Sequence, residues 1–122
     1  MPATILVLED SPTTLQFLAL SLLQHGFKVL TAPDGVEGLL KLANNTVDLV
    51  VTDINMPRMD GLSFIRKVRS SPEYAKLPIL IVSTENEGKD LRRADEAGAD
   101  AYLVKPVSAQ QLVEEVERLL KH

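Results

Sequence analysis

Short aliphatic runs alternate with longer amphipathic stretches along the whole chain. Ile5-Leu6-Val7-Leu8, Leu49-Val50-Val51, Ile79-Leu80-Ile81-Val82 and Tyr102-Leu103-Val104 are apolar throughout and too short for helices. Unbroken apolarity predicts strands covered on both faces, as in a parallel sheet between helix layers. Phe27-Lys28-Val29-Leu30-Thr31 alternates and carries a lysine, which predicts an edge strand. Between the runs, Ser11-Pro12 reads as an N-cap followed by a first-turn proline. Leu15, Leu18, Leu22 and Leu23 then recur at helical spacing, and Gly26 stops that helix. Pro33 opens a second helix carrying Val36, Leu39, Leu40 and Ala43, and Leu62, Ile65 and Val68 mark a third. A fourth, from about Glu87 to Ala97, ends at Gly98 and has a thin apolar face of Leu91, Ala94 and Ala97. Ser108 and Gln111 form a capping-box pattern for the last helix, whose core stripe is Leu112, Val113, Val116, Leu119 and Leu120.

The resulting βα alternation, five times over, predicts a single α/β domain spanning residues 1–122, with a doubly wound parallel sheet and right-handed crossovers. The order 2-1-3-4-5 is one of the few arrangements that put the edge-like second strand outside and the first beside the third. Length and composition agree. The chain has 122 residues, 45% of them hydrophobic and 25% charged, and no cysteine. Such a chain builds a core without disulfides, and it has neither a thiolate metal site nor a cysteine nucleophile. No apolar run approaches a membrane span and no signal-peptide pattern opens the sequence, so a cytoplasmic location is expected. The formal charge of −4 without a basic patch argues against direct nucleic-acid binding. A Gly-x-Gly-x-x-Gly turn and a Gly-x-x-x-x-Gly-Lys-Ser/Thr loop are both missing, which disfavours dinucleotide and P-loop folds.

In open parallel sheets ligands bind at the carboxyl ends of the strands. The residues following the runs are Glu9 and Asp10, Asp53, Ser83 and Lys105. Three carboxylates, a hydroxyl and an ammonium are thereby expected at one sheet edge. Crowded carboxylates either keep a proton or bind a cation. Hard oxygen donors without histidine or cysteine favour Mg²⁺. A cation, a lysine and a hydroxyl around a free carboxylate are the parts needed for phosphoryl transfer to that carboxylate. Taken singly, Asp10 also reads as part of the first helix cap, Asp53 and Ser83 as turn residues, and Lys105 as a surface lysine. Taken together, five such residues at one end of one sheet argue for a site.

The segments Glu9-Asp10-Ser11, Asp53-Ile54-Asn55-Met56-Pro57-Arg58-Met59-Asp60-Gly61, Ser83-Thr84-Glu85 and Gly98-Ala99-Asp100-Ala101-Tyr102-Leu103-Val104-Lys105-Pro106 carry a resemblance. The chain resembles a CheY-like response-regulator receiver domain over essentially its whole length. That resemblance implies that Asp53 accepts a phosphoryl group from a partner's phosphohistidine, the partner being a sensor histidine kinase or a histidine phosphotransfer protein. It implies Mg²⁺ held by the side chains of Asp10 and Asp53, the backbone carbonyl of Asn55, and Glu9 through water. Lys105 would bond the phosphoryl group and pair with Asp53 before transfer. Ser83 would be the switch hydroxyl and Tyr102 the coupled aromatic, altering the face of the fourth helix, fifth strand and fifth helix for a downstream protein target. Pro106 would follow a cis peptide. Asn55 and Glu85 would tune hydrolysis toward the faster, chemotaxis-type range, with Thr84 narrowing access to Asp53. Glu9 and Ser83 stand where Asp and Thr are commoner, and both keep the chemistry.

The expectation is thus a two-component switch, not an enzyme, of the stand-alone chemotaxis type. The alternatives are a receiver from a longer transcriptional or second-messenger regulator, and a phosphorelay shuttle. Met1 close before the first strand favours an N-terminal position. The chain is expected to be monomeric until phosphorylated, with dimerisation through the fourth helix and fifth strand as an option. A phosphatase using an aspartyl phosphate would need an acid where Asn55 stands. A receiver-like module that binds without phosphorylation would not need all five polar residues. His25 and His122 read as surface residues, and Glu114, Glu115 and Glu117 as a solvated face.

Overall fold

The computed structural model describes residues 2–121. Five parallel strands, β1 (Thr4–Leu8), β2 (Lys28–Ala32), β3 (Leu49–Thr52), β4 (Ile79–Ser83) and β5 (Ala101–Val104), form one sheet in the order β2-β1-β3-β4-β5. The helices are α1 (Pro12–Gln24), α2 (Gly35–Asn44), α3 (Gly61–Arg69), α4 (Gly88–Ala97) and α5 (Ala109–Leu120). Side chains alternate across the sheet with the strand period of two. Ile5, Val7, Leu49, Val51, Leu80 and Val82 face a cluster completed by Leu18 and Leu22 of α1 and by Leu112 and Val116 of α5. Leu6, Leu8, Val50, Ile79 and Ile81 face the other cluster, with Phe64 and Ile65 of α3, Leu42 of α2 and Ala94 of α4. Each such fully buried aliphatic stabilises the fold by about 1.5–3 kcal/mol before entropy is counted.

Several local expectations are corrected. β2 starts at Lys28 rather than Phe27 and runs to the buried Ala32. The second helix opens on Asp34, not Pro33: the Asp34 carboxylate accepts a hydrogen bond from the Glu37 N–H at 3.0 Å. Its buried face is Gly35, Gly38 and Leu42, whereas Leu40 and Ala43 point to solvent. The two glycines let the helix backbone approach closely; a Cβ on Gly38 would lie 2.7 Å from Leu8 Cδ2. Leu23 of α1 is exposed, and so is Leu91 of α4, which leaves α4 resting on the small residues Ala94 and Ala97. β5 is apolar in sequence yet half-exposed, because it closes the sheet edge. A 3₁₀ turn at Pro72–Tyr74 has no counterpart in the periodicity. His25 is exposed and hydrogen-bonds Glu117 at 3.1 Å, so that glutamate is paired across α1 and α5. His122 lies outside the described residues.

Candidate functional site

The ladders run one residue past the strands and thereby fix the polar residues. Glu9 N–H donates to Ala32 O at 3.0 Å, Asp53 N–H to Leu8 O at 3.0 Å, and Lys105 N–H to Ser83 O at 2.8 Å. β1 lies between β2 and β3, so Glu9 and Asp53 emerge side by side at the point where the strand order reverses. Carboxylate oxygens of Glu9, Asp10 and Asp53 all lie within 4.8 Å of one another.

Lys105 reaches this group from β5. Its Nζ donates to Glu9 Oε1 at 2.6 Å and to Asp53 Oδ2 at 2.9 Å. Glu9 is only 2% exposed, with Asp53 at 11% and Lys105 at 17% on their side chains. Burial pulls the Lys105 ammonium down, but its hydrogen bonds to Glu9 and Asp53 outweigh that and hold its pKa above the ordinary value. Burial pushes the Glu9 carboxyl up, offset in part by Lys105 and by the Ser11 N–H at 3.1 Å, while the Asp53 charge pushes in the same direction as burial. Asp10 is exposed at the mouth, where it lines an open notch with Asn55, Met56, Pro57 and Asp60.

Asp53 Oδ1 accepts from the Ile54 N–H at 2.6 Å. The turn that follows is closed by Gly61, whose N–H donates to Ile54 O at 2.8 Å. A Cβ there would lie 2.0 Å from Asp53 O, so only glycine fits. Asp60 caps α3 by accepting from the Ser63 N–H at 2.8 Å. The Lys105–Pro106 peptide is cis.

Ser83 is fully buried, and its hydroxyl accepts from the Glu85 N–H at 3.2 Å. The structure gives it no hydrogen bond to Asp53. Tyr102 is half-buried against the core: its hydroxyl donates to Glu85 O at 2.8 Å, and burial raises its pKa. Asn55 Nδ2 donates to Glu85 Oε1 at 2.9 Å, joining the β3–α3 and β4–α4 loops across the site. Sequence reasoning passed over Arg58 and Asp34, which are 2.8 Å apart beside the notch. Asp34-x-x-Glu37 carries an N-cap pattern, but nothing in the sequence pairs Asp34 with Arg58.

Three hard carboxylate donors converging at the switch point of a 2-1-3-4-5 sheet, balanced by one lysine, fit a Mg²⁺-type cation. Fold and site together define a receiver-type module. The profile of the response regulator receiver domain matches residues 5–117, and the chain belongs to that family. Receiver domains use Mg²⁺ through an acidic pocket, are phosphorylated by histidine kinases and act on downstream targets.

The chain is 40% identical over 121 residues to the response regulator MprA of Mycobacterium sp. (strain KMS), covering 99% of this chain and 52% of that protein. It is 38% identical over 118 residues to the chemotaxis protein CheY1 of Helicobacter pylori (strain ATCC 700392 / 26695), covering 95% of each. The solved structure of the chemotaxis response regulator CheY4 of Vibrio cholerae superposes with a TM-score of 0.92 at 33% identity, covering 98% of this chain and 99% of that one. The chain spans about half or less of the length of the first curated relatives it matches. No helix among the described residues is long and apolar enough to cross a membrane.

Proposed function

We propose that the chain is a single receiver unit over residues 1–122 in which Asp53 takes a phosphoryl group from a protein phosphohistidine. The observation that carries this is the placement of Lys105 Nζ, 2.9 Å from Asp53 and 2.6 Å from Glu9, inside a three-carboxylate cluster. Asp10 and Asp53 would hold Mg²⁺ with their side chains, Asn55 with its backbone carbonyl and Glu9 through water. The cation supplies charge neutralisation for the transferring group when bound. Asp53 attacks phosphorus, a P–O bond forms, the P–N bond to imidazole breaks with its electron pair staying on nitrogen, and that nitrogen takes a proton from water. Lys105 gives up its contact with Asp53 Oδ2 and donates to the phosphoryl oxygen instead. Ser83 rotates from the Glu85 N–H to donate to another phosphoryl oxygen. That removes one tether of the β4–α4 loop, to which the Tyr102 hydroxyl is bonded, and so couples the modification to the face of α4, β5 and α5.

The Asn55–Glu85 hydrogen bond lies over the same opening, which supports a role for both in governing the water that later cleaves the acyl phosphate. The module assists its own phosphorylation and dephosphorylation and turns over no separate substrate. The 38% identity to CheY1 supports a chemotaxis-type regulator, acting in the cytoplasm as a monomer until phosphorylated. The MprA match favours a receiver within a longer regulator as the second reading.

The test uses phosphoramidate, a small phosphohistidine mimic, followed by phosphorus NMR. An acyl-phosphate signal should appear with Mg²⁺, vanish with chelator, and be absent in Asp53→Asn. Its lifetime should change in Asn55→Ala and Glu85→Ala. A signal of equal size in chelator, or in Asp53→Asn, contradicts the assignment.

A further inference from the structure

The β3–α3 loop, residues 54–60, forms one wall of the acidic notch, so whatever holds that loop sets the position of Asn55. Part of the hold is backbone: Met59 N–H donates to Pro57 O at 2.7 Å, and Met59 O accepts from the Gly35 N–H at 3.0 Å. The rest is one side chain. Arg58 Nε lies 2.8 Å from Asp34 Oδ2, its Nη2 lies 2.8 Å from the same oxygen, and Glu37 Oε1 is 3.5 Å away. The other Asp34 oxygen caps α2 through the Glu37 N–H. Asp34 is therefore a buried carboxylate shared between the start of α2 and the loop, while Arg58 keeps 55% of its side chain in solvent.

Arg58 also has φ of +62°, the only positive value on a non-glycine among the described residues. Glycine would adopt that conformation without strain. An arginine there needs a compensating interaction, and the Asp34 carboxylate supplies one.

We propose that Arg58 is a positioning residue: seated on Asp34, it holds residues 54–60 in the conformation that completes the cation site. This rests on the reading of that site given above. The test compares the full chain with Arg58→Gly, Arg58→Lys and Asp34→Asn. It measures Mg²⁺ affinity by calorimetry, amide exchange across residues 54–60 and the unfolding midpoint.

Arg58→Gly relieves the backbone but leaves the buried Asp34 carboxylate without its cation, so the two effects offset and its midpoint should shift little. Its loop amides should exchange faster, and its Mg²⁺ affinity should fall about tenfold, the usual scale for losing an outer partner of a metal site. Asp34→Asn keeps a competent cap and should lose Mg²⁺ affinity similarly. Arg58→Lys should recover most of it. A merely structural role would lower the midpoint and leave affinity alone. Wild-type affinity in both Arg58→Gly and Asp34→Asn overturns the proposal, whatever the loop exchange. Wild-type protein that fails to bind Mg²⁺, with loop exchange still faster in Arg58→Gly, overturns the cation-site reading instead, and the positioning role with it, while leaving the tether itself standing.

Discussion

Lys105 is the one cation hydrogen-bonded into the three-carboxylate cluster among the described residues. Removing one partner of a buried ion pair leaves uncompensated charge, which costs about 3–5 kcal/mol when burial is complete. Here Asp10 is exposed and Lys105 touches solvent, so the expected cost of Lys105→Met is smaller, roughly 2 kcal/mol. Urea unfolding in chelator should read that loss, and saturating Mg²⁺ should restore much of it. A variant as stable as wild type in chelator would show that the lysine does not balance the cluster. The pH sign is fixed by the direction of its shift. The Lys105 pKa is raised on folding, so its contribution is present below the unfolded lysine value of about 10.4 and is lost as pH rises through the folded value. Glu9 also shifts upward, so ionising it costs stability as pH rises above the ordinary glutamate range. At this scale Glu9, Asp10, Asp53, Ser83 and Lys105 were all legible as residues following apolar runs. Arg58 and Asp34 were not, because each looks like an ordinary loop charge until the fold brings them to 2.8 Å. Nor did the strands reveal that Lys105 bonds Glu9 as well as Asp53.

Element boundaries were legible where capping chemistry was explicit. Ser11 accepts from the Thr14 N–H, and Ser108 and Gln111 exchange cap bonds at 3.0 and 2.9 Å. The face of α2 was misjudged because hydrophobic counting cannot see glycine as a contact surface. The α2 cap gives a pH prediction. Burial pushes the Asp34 carboxyl up, but the Glu37 N–H and Arg58 outweigh it and hold its pKa below the ordinary range. Its contribution is therefore present above the unfolded aspartate value of about 4 and is lost as pH falls through the folded one. The acid limb of the unfolding midpoint should be shallower in Asp34→Asn, and an unchanged limb would count against the pairing. Helix contacts give a second contrast. Gly61→Ala should destabilise by more than about 3 kcal/mol, since its Cβ would meet Asp53 O at 2.0 Å. Leu91→Ala should cost less than about 1 kcal/mol, because Leu91 is 44% exposed on a helix held by two alanines. Equal losses for the two would contradict the packing described.

On the scale of the molecule, the sheet separates two cores, one beneath α1 and α5 and one beneath α2, α3 and α4, and gathers acids at one end. The βα alternation made the class of this architecture legible. Strand order came within reach because only a few windings put the lysine-bearing strand at an edge. The same order puts β5 at the opposite edge; what its apolar sequence hid was its half-exposure. A cation bound at the crowded acids would stabilise the fold by linkage: ligand at ten times its dissociation constant adds about 1.4 kcal/mol. Asp10 is the exposed member, so Asp10→Asn should relieve repulsion and unfold later than wild type in chelator, by on the order of 1 kcal/mol. It should also lose the Mg²⁺-dependent rise in midpoint. A variant that keeps the full rise would remove Asp10 from the cation site.

One carboxylate, Asp53, is proposed to carry the transient phosphoryl group. Borohydride reduces an aspartyl phosphate to homoserine, so trapping after incubation with acetyl phosphate and Mg²⁺, followed by peptide sequencing in the mass spectrometer, locates the modified residue. Homoserine is expected at position 53 alone, dependent on Mg²⁺. Homoserine at another aspartate, or none after saturating donor and cation, would contradict it.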